Sequence, residues 1–110
     1  MNMSANEITV HELKKRLNSG EKLIIIDVRE PFEHEMAHIG NKLIPLGSLA
    51  LTLQELNQYK NTELIVYCRS GARSATACAF LRTSGFQNVR NLIGGILAWK
   101  NEIDPSANVQ

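Results

Sequence analysis

Long apolar runs are missing from this chain of 110 residues, and so are blocks of like charge. No stretch approaches the ~20 residues that a helix needs to cross a bilayer. The 12 basic and 11 acidic residues are spread along the chain and leave a net charge of +1. Nothing in that balance points to nucleic acid or an anionic membrane as a partner, and neither is expected. Cysteine is scarce as well, with Cys68 and Cys78 alone and no Cys-x-x-Cys or Cys/His metal spacing. Neither a disulfide framework nor a metal site is expected. The N-terminal Met1 to Glu7 lacks the basic region and apolar run of a secretory signal. With a solitary reactive thiol, that favours a reducing cytoplasm. There is no repeat, linker or low-complexity segment, so the expectation for residues 1–110 is one domain, with about 1–6 and 104–110 as loosely held tails.

What is present is an alternation of strand and helix signals. Thr9-Val10-His11-Glu12 reads as a capping box opening a helix lined by Val10, Leu13 and Leu17 and closed by Gly20. The run Leu23-Ile24-Ile25-Ile26 closing on Asp27 suits a strand covered on both faces. Pro31 starts a short helix through Met36. Leu43-Ile44-Pro45-Leu46 reads as a short edge strand, and Ser48 as the cap of a helix carrying Leu49, Leu53 and Leu56. Leu64 to Tyr67 is a strand, Ser74 to Thr83 a helix closed near Gly85, and Asn88 to Asn91 a last strand. Gly94-Gly95 opens a final helix containing Leu97, Ala98 and Trp99. Such alternation predicts an α/β domain around a mostly parallel sheet, whose ligands bind beyond the carboxyl ends of the strands. Asp27 and Cys68 both fall on that rim.

The segment Cys68-Arg69-Ser70-Gly71-Ala72-Arg73-Ser74 delivers a thiol from a buried strand to a helix N-terminus. Loop and first-turn N–H groups favour negative charge there, and Arg69 and Arg73 add two cations expected to lower the thiol pKa. Gly71 permits the positive φ or close approach that such a loop requires. A lone cysteine most often fills core, but a structural thiol has no use for an anion-binding loop, so Cys68 reads as a nucleophile. Cys78, beside Ala77, Ala79 and Phe80, reads as core, with a resolving thiol as the lesser alternative. A helix leading away from the loop separates the two thiols too far for pairing.

Three separated motifs resemble the single-domain rhodanese-like sulfurtransferases. They are Ile26-Asp27-Val28-Arg29-Glu30-Pro31-Phe32-Glu33 with His38-Ile39 and Ile44-Pro45-Leu46, the loop from Cys68 to Ser74, and Leu92-Ile93-Gly94-Gly95-Ile96-Leu97-Ala98-Trp99. The likeness is closest to the C-terminal rhodanese domain of adenylyltransferases that activate sulfur-carrier proteins, through Gly94 to Trp99 and Glu102-Ile103-Asp104-Pro105-Ser106. Many relatives carry Gly-His-Ile-Pro-Gly-Ala before the Ile-Pro. This chain reads Ala37-His38-Ile39-Gly40-Asn41-Lys42-Leu43-Ile44-Pro45, one residue shorter and without that proline.

The resemblance implies a five-stranded sheet with helices on both faces. It also implies a Cys68 persulfide that moves sulfane sulfur from a donor such as thiosulfate to a thiophilic acceptor, possible partners including a sulfur-carrier protein. The loop residues Arg69, Ser70, Gly71, Ala72, Arg73 and Ser74 would bind substrate, and no cofactor is implied. Arg69 is expected to face donor anions, with Arg73 either doing likewise or bracing the loop.

Asp27 is expected either to support the loop or pair with an arginine, or else to be a plain strand-end cap. Arg29 and Glu33 read as structural ion pairs. A general-base role for His38 is not needed once the thiolate exists. His11 and His34 read as solvated, and Trp99 as core or rim packing. Two rivals remain. One is a carrier or redox-sensing module that holds sulfur without turnover. The other, less favoured, is a dual-specificity-type phosphatase, whose loop has five residues between Cys and Arg where this one has four.

Overall fold

In the computed structural model, which describes residues 5–109, the apolar run Leu64–Tyr67 forms the centre of the sheet. This strand, β4, is buried at all four positions, because strands pair with it on both edges and helices cover both faces. The other strands are β1 (Glu7–Ile8), β2 (Ile24–Asp27), β3 (Lys42–Leu43) and β5 (Val89–Leu92). The five lie in the order β1-β5-β4-β2-β3, and every pairing among the described residues is parallel.

The helices α1 (Val10–Asn18), α2 (Pro31–Met36), α3 (Leu49–Leu56), α4 (Ala72–Thr83) and α5 (Gly95–Glu102) connect them. One face of the sheet packs Ile26, Leu64, Val66 and Val89 against Leu49 and Leu56 of α3 and Ala77, Cys78 and Leu81 of α4. The other packs Ile8, Ile25, Ile65, Tyr67 and Leu92 against Val10 and Leu13 of α1 and Ile96 of α5, with Trp99 partly buried beside them. No helix among the described residues is long and apolar enough to cross a membrane.

Strand order reverses between β2 and β4. The chain leaves β2 toward β3 on one side and leaves β4 toward β5 on the other. Their carboxyl ends are level, with Asp27 opposite Tyr67 in register. Such a reversal opens a crevice beyond the strand ends, and the residues that follow Asp27 and Tyr67 form its walls.

Several local expectations are corrected. Thr9 Oγ1 accepts the Glu12 N–H at 3.1 Å, but the Glu12 carboxylate pairs with Arg90 at 3.2 Å, so the capping box is present on one side. A capping box does form on α2, where Glu30 and Glu33 each accept the other's backbone N–H. The third strand is confined to Lys42–Leu43, because Pro45 has no N–H for a ladder and Leu46–Ser48 forms a short 3-10 turn. Ser48 occupies the N-cap of α3 without a side-chain cap bond.

Helix α4 begins at Ala72, two residues before the expected Ser74, because Gly71 itself turns the chain into it. The edge strand β1 was not anticipated: two residues carry no readable period, and its pairing with β5 is long-range. Residues 1–4 and 110, part of the tails, lie outside the described residues. The C-terminal stretch that reads as a loose tail folds back: the Asp104 N–H bonds the Trp99 carbonyl at 2.9 Å, and Val109 packs against the second core cluster. Its polar composition concealed this one apolar anchor.

Candidate active site

Cys68 is the first residue after β4 and is only 1% exposed. Its Sγ accepts the Gly71 N–H at 3.1 Å, the Ser74 N–H at 3.4 Å and the Ser74 hydroxyl at 3.3 Å. Gly71 makes this possible with a φ of 116°, a conformation that side-chain-bearing residues rarely adopt. Burial pushes the thiol pKa up. The donors on Ser74, Gly71 and Ser70 outweigh it, and the net effect holds the thiol below its ordinary value. The sequence points both to the loop and first-turn N–H groups and to the charges of Arg69 and Arg73. In the structure the principal agents are hydrogen-bond donors of the loop and of the first turn of α4.

The loop is gripped from behind by α5. The N–H groups of Ile96 and Leu97, in its first turn, donate to the Cys68 and Arg69 carbonyls at 2.9 and 3.0 Å. The Gly-Gly pair is what allows this approach. Gly95 has a φ of 60°, and a Cβ there would lie 2.5 Å from both of those carbonyl oxygens. Two helix N-termini therefore meet at the loop, α4 facing the sulfur and α5 facing the carbonyl side.

Arg73 donates to both carboxylate oxygens of Glu33 on α2, at 2.8 and 3.0 Å. Arg69 is exposed and borders a cavity of about 190 Å³ together with Phe32, Glu33, Met36 and Val109. The two arginines thus have different surroundings, one committed to a carboxylate and one at a cavity wall.

Asp27 and Arg29 are buried, at 0% and 2% exposure. The Asp27 carboxylate accepts from the Arg29 N–H and Nε, both at 2.9 Å, and from Nη2 at 2.7 Å. Tyr67 donates its hydroxyl to the same carboxylate at 3.1 Å, and His34 Nδ1 lies 2.9 Å away. Burial raises the Asp27 pKa, but Arg29 and His34 reverse that and hold it below the usual carboxylate range. None of the hydrogen bonds described for Asp27 or Arg29 goes to the Cys68 loop. Their contacts with α2 are at its last turn and C-cap, through His34 and Ala37, and α2 presents Glu33 to Arg73. Arg29 Nη2 also donates to the Ala37 carbonyl at 2.7 Å, and the Ile39 N–H donates to the Tyr67 hydroxyl at 3.0 Å. The shortened segment after α2 is therefore held by buried side chains.

The reading of His34 as solvated is corrected: its ring faces Asp27 and stacks on His38, with centroids 4.1 Å apart. His11 is exposed, 2.7 Å from Glu102. Cys78 is buried and its thiol is pushed up to about 11, burial being the main cause. Both cysteines are free. The sequence reading gives no site role to Tyr67, His34 or Asn91. Only Asn91 carries a signal, as an amide two residues from Val89 and so on the same face of the strand.

A family model described as a rhodanese-like domain matches residues 9–102. The chain belongs to the rhodanese-like family. A sulfurtransferase of Allochromatium vinosum is 39% identical over 95 residues, covering 86% of this chain and 87% of that protein. The probable adenylyltransferase/sulfurtransferase MoeZ of Mycobacterium tuberculosis is 42% identical over 101 residues, covering 89% of this chain but 25% of MoeZ. The chain thus corresponds to about a quarter of that longer relative. A rhodanese-like domain protein from Staphylococcus aureus superposes with a TM-score of 0.79 at 35% identity, covering 89% of this chain and 94% of that one. As a rhodanese-like domain with sulfurtransferase relatives, the protein falls in the sulfur-transfer class, and its fold is the parallel α/β sheet expected from the resemblance.

Proposed function

We propose that this rhodanese-like domain carries sulfane sulfur on Cys68 and turns over as a thiosulfate-type sulfurtransferase. The observation that carries the reading is the convergence of the Gly71 N–H, the Ser74 N–H and the Ser74 hydroxyl on one enclosed sulfur. Donors fixed around a site of negative charge stabilise it without reorganisation.

In the first half-reaction the Cys68 thiolate attacks the outer sulfur of thiosulfate. A new S–S bond forms, the old one breaks, and sulfite leaves with its electron pair. In the second, a thiophilic acceptor such as cyanide attacks the outer sulfur of the persulfide, and the thiolate leaves. No proton is needed in either displacement, so His38 has no part to play. Arg69, at the cavity wall, is the group for donor anions, while Arg73 braces the loop through Glu33. Asp27 and Arg29 support the loop at one remove, by fixing α2. The chemistry assumes a reducing compartment in which Cys68 remains a thiol.

A second reading, sulfur carriage without rapid turnover, is favoured by a relative named putative sulfur carrier protein YrkF, from Bacillus subtilis, at 38% identity. A carrier protein is accordingly among the partners this domain would serve as donor or acceptor. The test is intact mass after incubation of reduced protein with thiosulfate, followed by a cyanide chase. A gain of one sulfur that requires Cys68 and vanishes with cyanide supports the persulfide. Multiple turnovers then support the enzyme and a single slow discharge the carrier. No gain in folded, reduced protein overturns both.

A further inference from the structure

Asn91 lies in β5, opposite Val66 of β4 and Glu7 of β1 in register. Asparagine is depleted in strands, and a position paired with Val66 belongs to the apolar face that α4 covers. The fold gives no reason for an amide there. Its side chain reaches the turn of the Cys68 loop: Ser74 Oγ lies 2.5 Å from Asn91 Oδ1, and Asn91 Nδ2 donates to the Gly71 carbonyl at 3.3 Å. Gly71 and Ser74 both donate backbone N–H groups to the sulfur.

The Ser74 hydroxyl has one proton and three acceptors within reach, namely Asn91 Oδ1, the Gly71 carbonyl at 3.2 Å and Cys68 Sγ at 3.3 Å. Without Asn91, nothing from β5 would hold that hydroxyl or the Gly71 peptide plane. The strand itself is a firm base, with the Asn91 N–H bonded to the Asn6 carbonyl at 2.8 Å on its outer side and β4 on its inner side. A binding geometry is reproduced most faithfully when its supports stand on such an element.

We propose that Asn91 is a positioning residue, which tethers Gly71 and Ser74 to the sheet so that their N–H groups converge on Cys68 Sγ. Asn91 touches no reacting atom. It acts through Ser74 and Gly71, and the proposal rests on Cys68 being the reactive sulfur.

The test is the rate at which iodoacetamide alkylates Cys68 in Asn91→Val, with a Cys78→Ala background to leave one thiol. Valine suits an apolar strand position and removes both amide contacts. The expected result is alkylation about tenfold slower, and a fall in kcat for thiosulfate with KM little changed. Near-native melting is expected alongside. In a Ser74→Ala background, the Asn91→Val effect should largely disappear.

A folded Asn91→Val protein with the wild-type alkylation rate would overturn the proposal, as would full additivity with Ser74→Ala. If Asn91→Val does not fold, Asn91→Leu, nearer in shape to asparagine, replaces it. Failure of both to fold would make Asn91 a structural residue of β5 and end the proposal. Absence of Cys68 alkylation in the wild type would instead refute the reactive-sulfur reading, so the two failures are distinguishable.

Discussion

Glu33 on α2 and Arg73 on α4 form a two-pronged ion pair across the mouth of the crevice, at 2.8 and 3.0 Å. The pair joins the element that follows β2 to the loop that follows β4. Arg73 is about one-third exposed and Glu33 less so, so the bond adds under about 1 kcal/mol to stability. Its consequence is for geometry.

If Arg73 braces the loop, Arg73→Ala and Glu33→Ala should lower kcat/KM for thiosulfate by similar factors, and the double variant should be no worse than either. An Arg73 that binds donor directly would behave differently, raising KM when removed while Glu33→Ala left KM unchanged. Steady-state kinetics on the three variants decides between them. Arg69→Ala, at the cavity, should raise KM more than it lowers kcat.

The two thiols should differ in reactivity with pH. Hydrogen bonds hold the Cys68 pKa below its ordinary value, whereas burial lifts Cys78 to about 11. Only the thiolate reacts. Alkylation at about pH 7 should therefore add one group, at Cys68, with a rate that falls only as pH drops through the depressed Cys68 value. Peptide mapping after timed iodoacetamide exposure would show it. Preferential modification of Cys78 would contradict the assignment. By the same reasoning Cys68→Ala should abolish sulfur transfer and Cys78→Ala should preserve most of it.

Asp27 offers a stability test. It is wholly buried and holds Arg29 with three hydrogen bonds, so Asp27→Asn leaves a guanidinium buried without its counter-charge. A loss of about 3–5 kcal/mol is expected by chemical denaturation. The native pKa values of Asp27, Glu33 and Glu63, the last held by Arg16 and Arg90, are all lowered. Groups of that kind contribute stability that is fully present above the unfolded carboxylate range of about 4 and is lost as pH falls through the native values. The denaturation midpoint should hold steady from neutrality to about pH 5 and decline below about pH 4, and Asp27→Asn should flatten part of that decline. A midpoint that fell on the alkaline side instead would contradict the sign.

The legible parts of this molecule were those written locally. Leu64 to Tyr67 announces a buried strand because the run is apolar, and Cys68 announces its loop because the charge, glycine and helix signals lie within a few positions. An arginine partner for Asp27 is among the expectations from sequence, and in the fold it is Arg29, two residues on. The pairing of Glu33 with Arg73 spans 40 positions, and the register of β1 on β5 spans more, so neither leaves a pattern in the chain. The sequence leaves Arg73 between donor binding and bracing the loop; the placement of α2 pairs it with Glu33. His34 looks like a surface helix residue until the chain folds Asp27 beneath it.

Gly95 carries the sharpest structural expectation. Its φ of 60° already disfavours any side chain, and a Cβ would fall 2.5 Å from the carbonyl oxygens of both Cys68 and Arg69. These are backbone atoms and cannot swing aside as a side-chain tip can. Gly95→Ala must therefore push α5 away from the loop, loosening the bonds from Ile96 and Leu97 that hold those carbonyls. The cost should exceed the ~1 kcal/mol of a simple glycine-to-alanine mismatch at positive φ, and sulfur transfer should fall more than stability alone would explain. Gly20→Ala is the control. It has a positive φ of 87° with nothing within 4 Å of a built Cβ, so it carries the backbone strain without the clash. Comparing the two by thermal melting and by thiosulfate turnover separates strain from contact, and equal effects on turnover would refute the role assigned to the Gly95 approach.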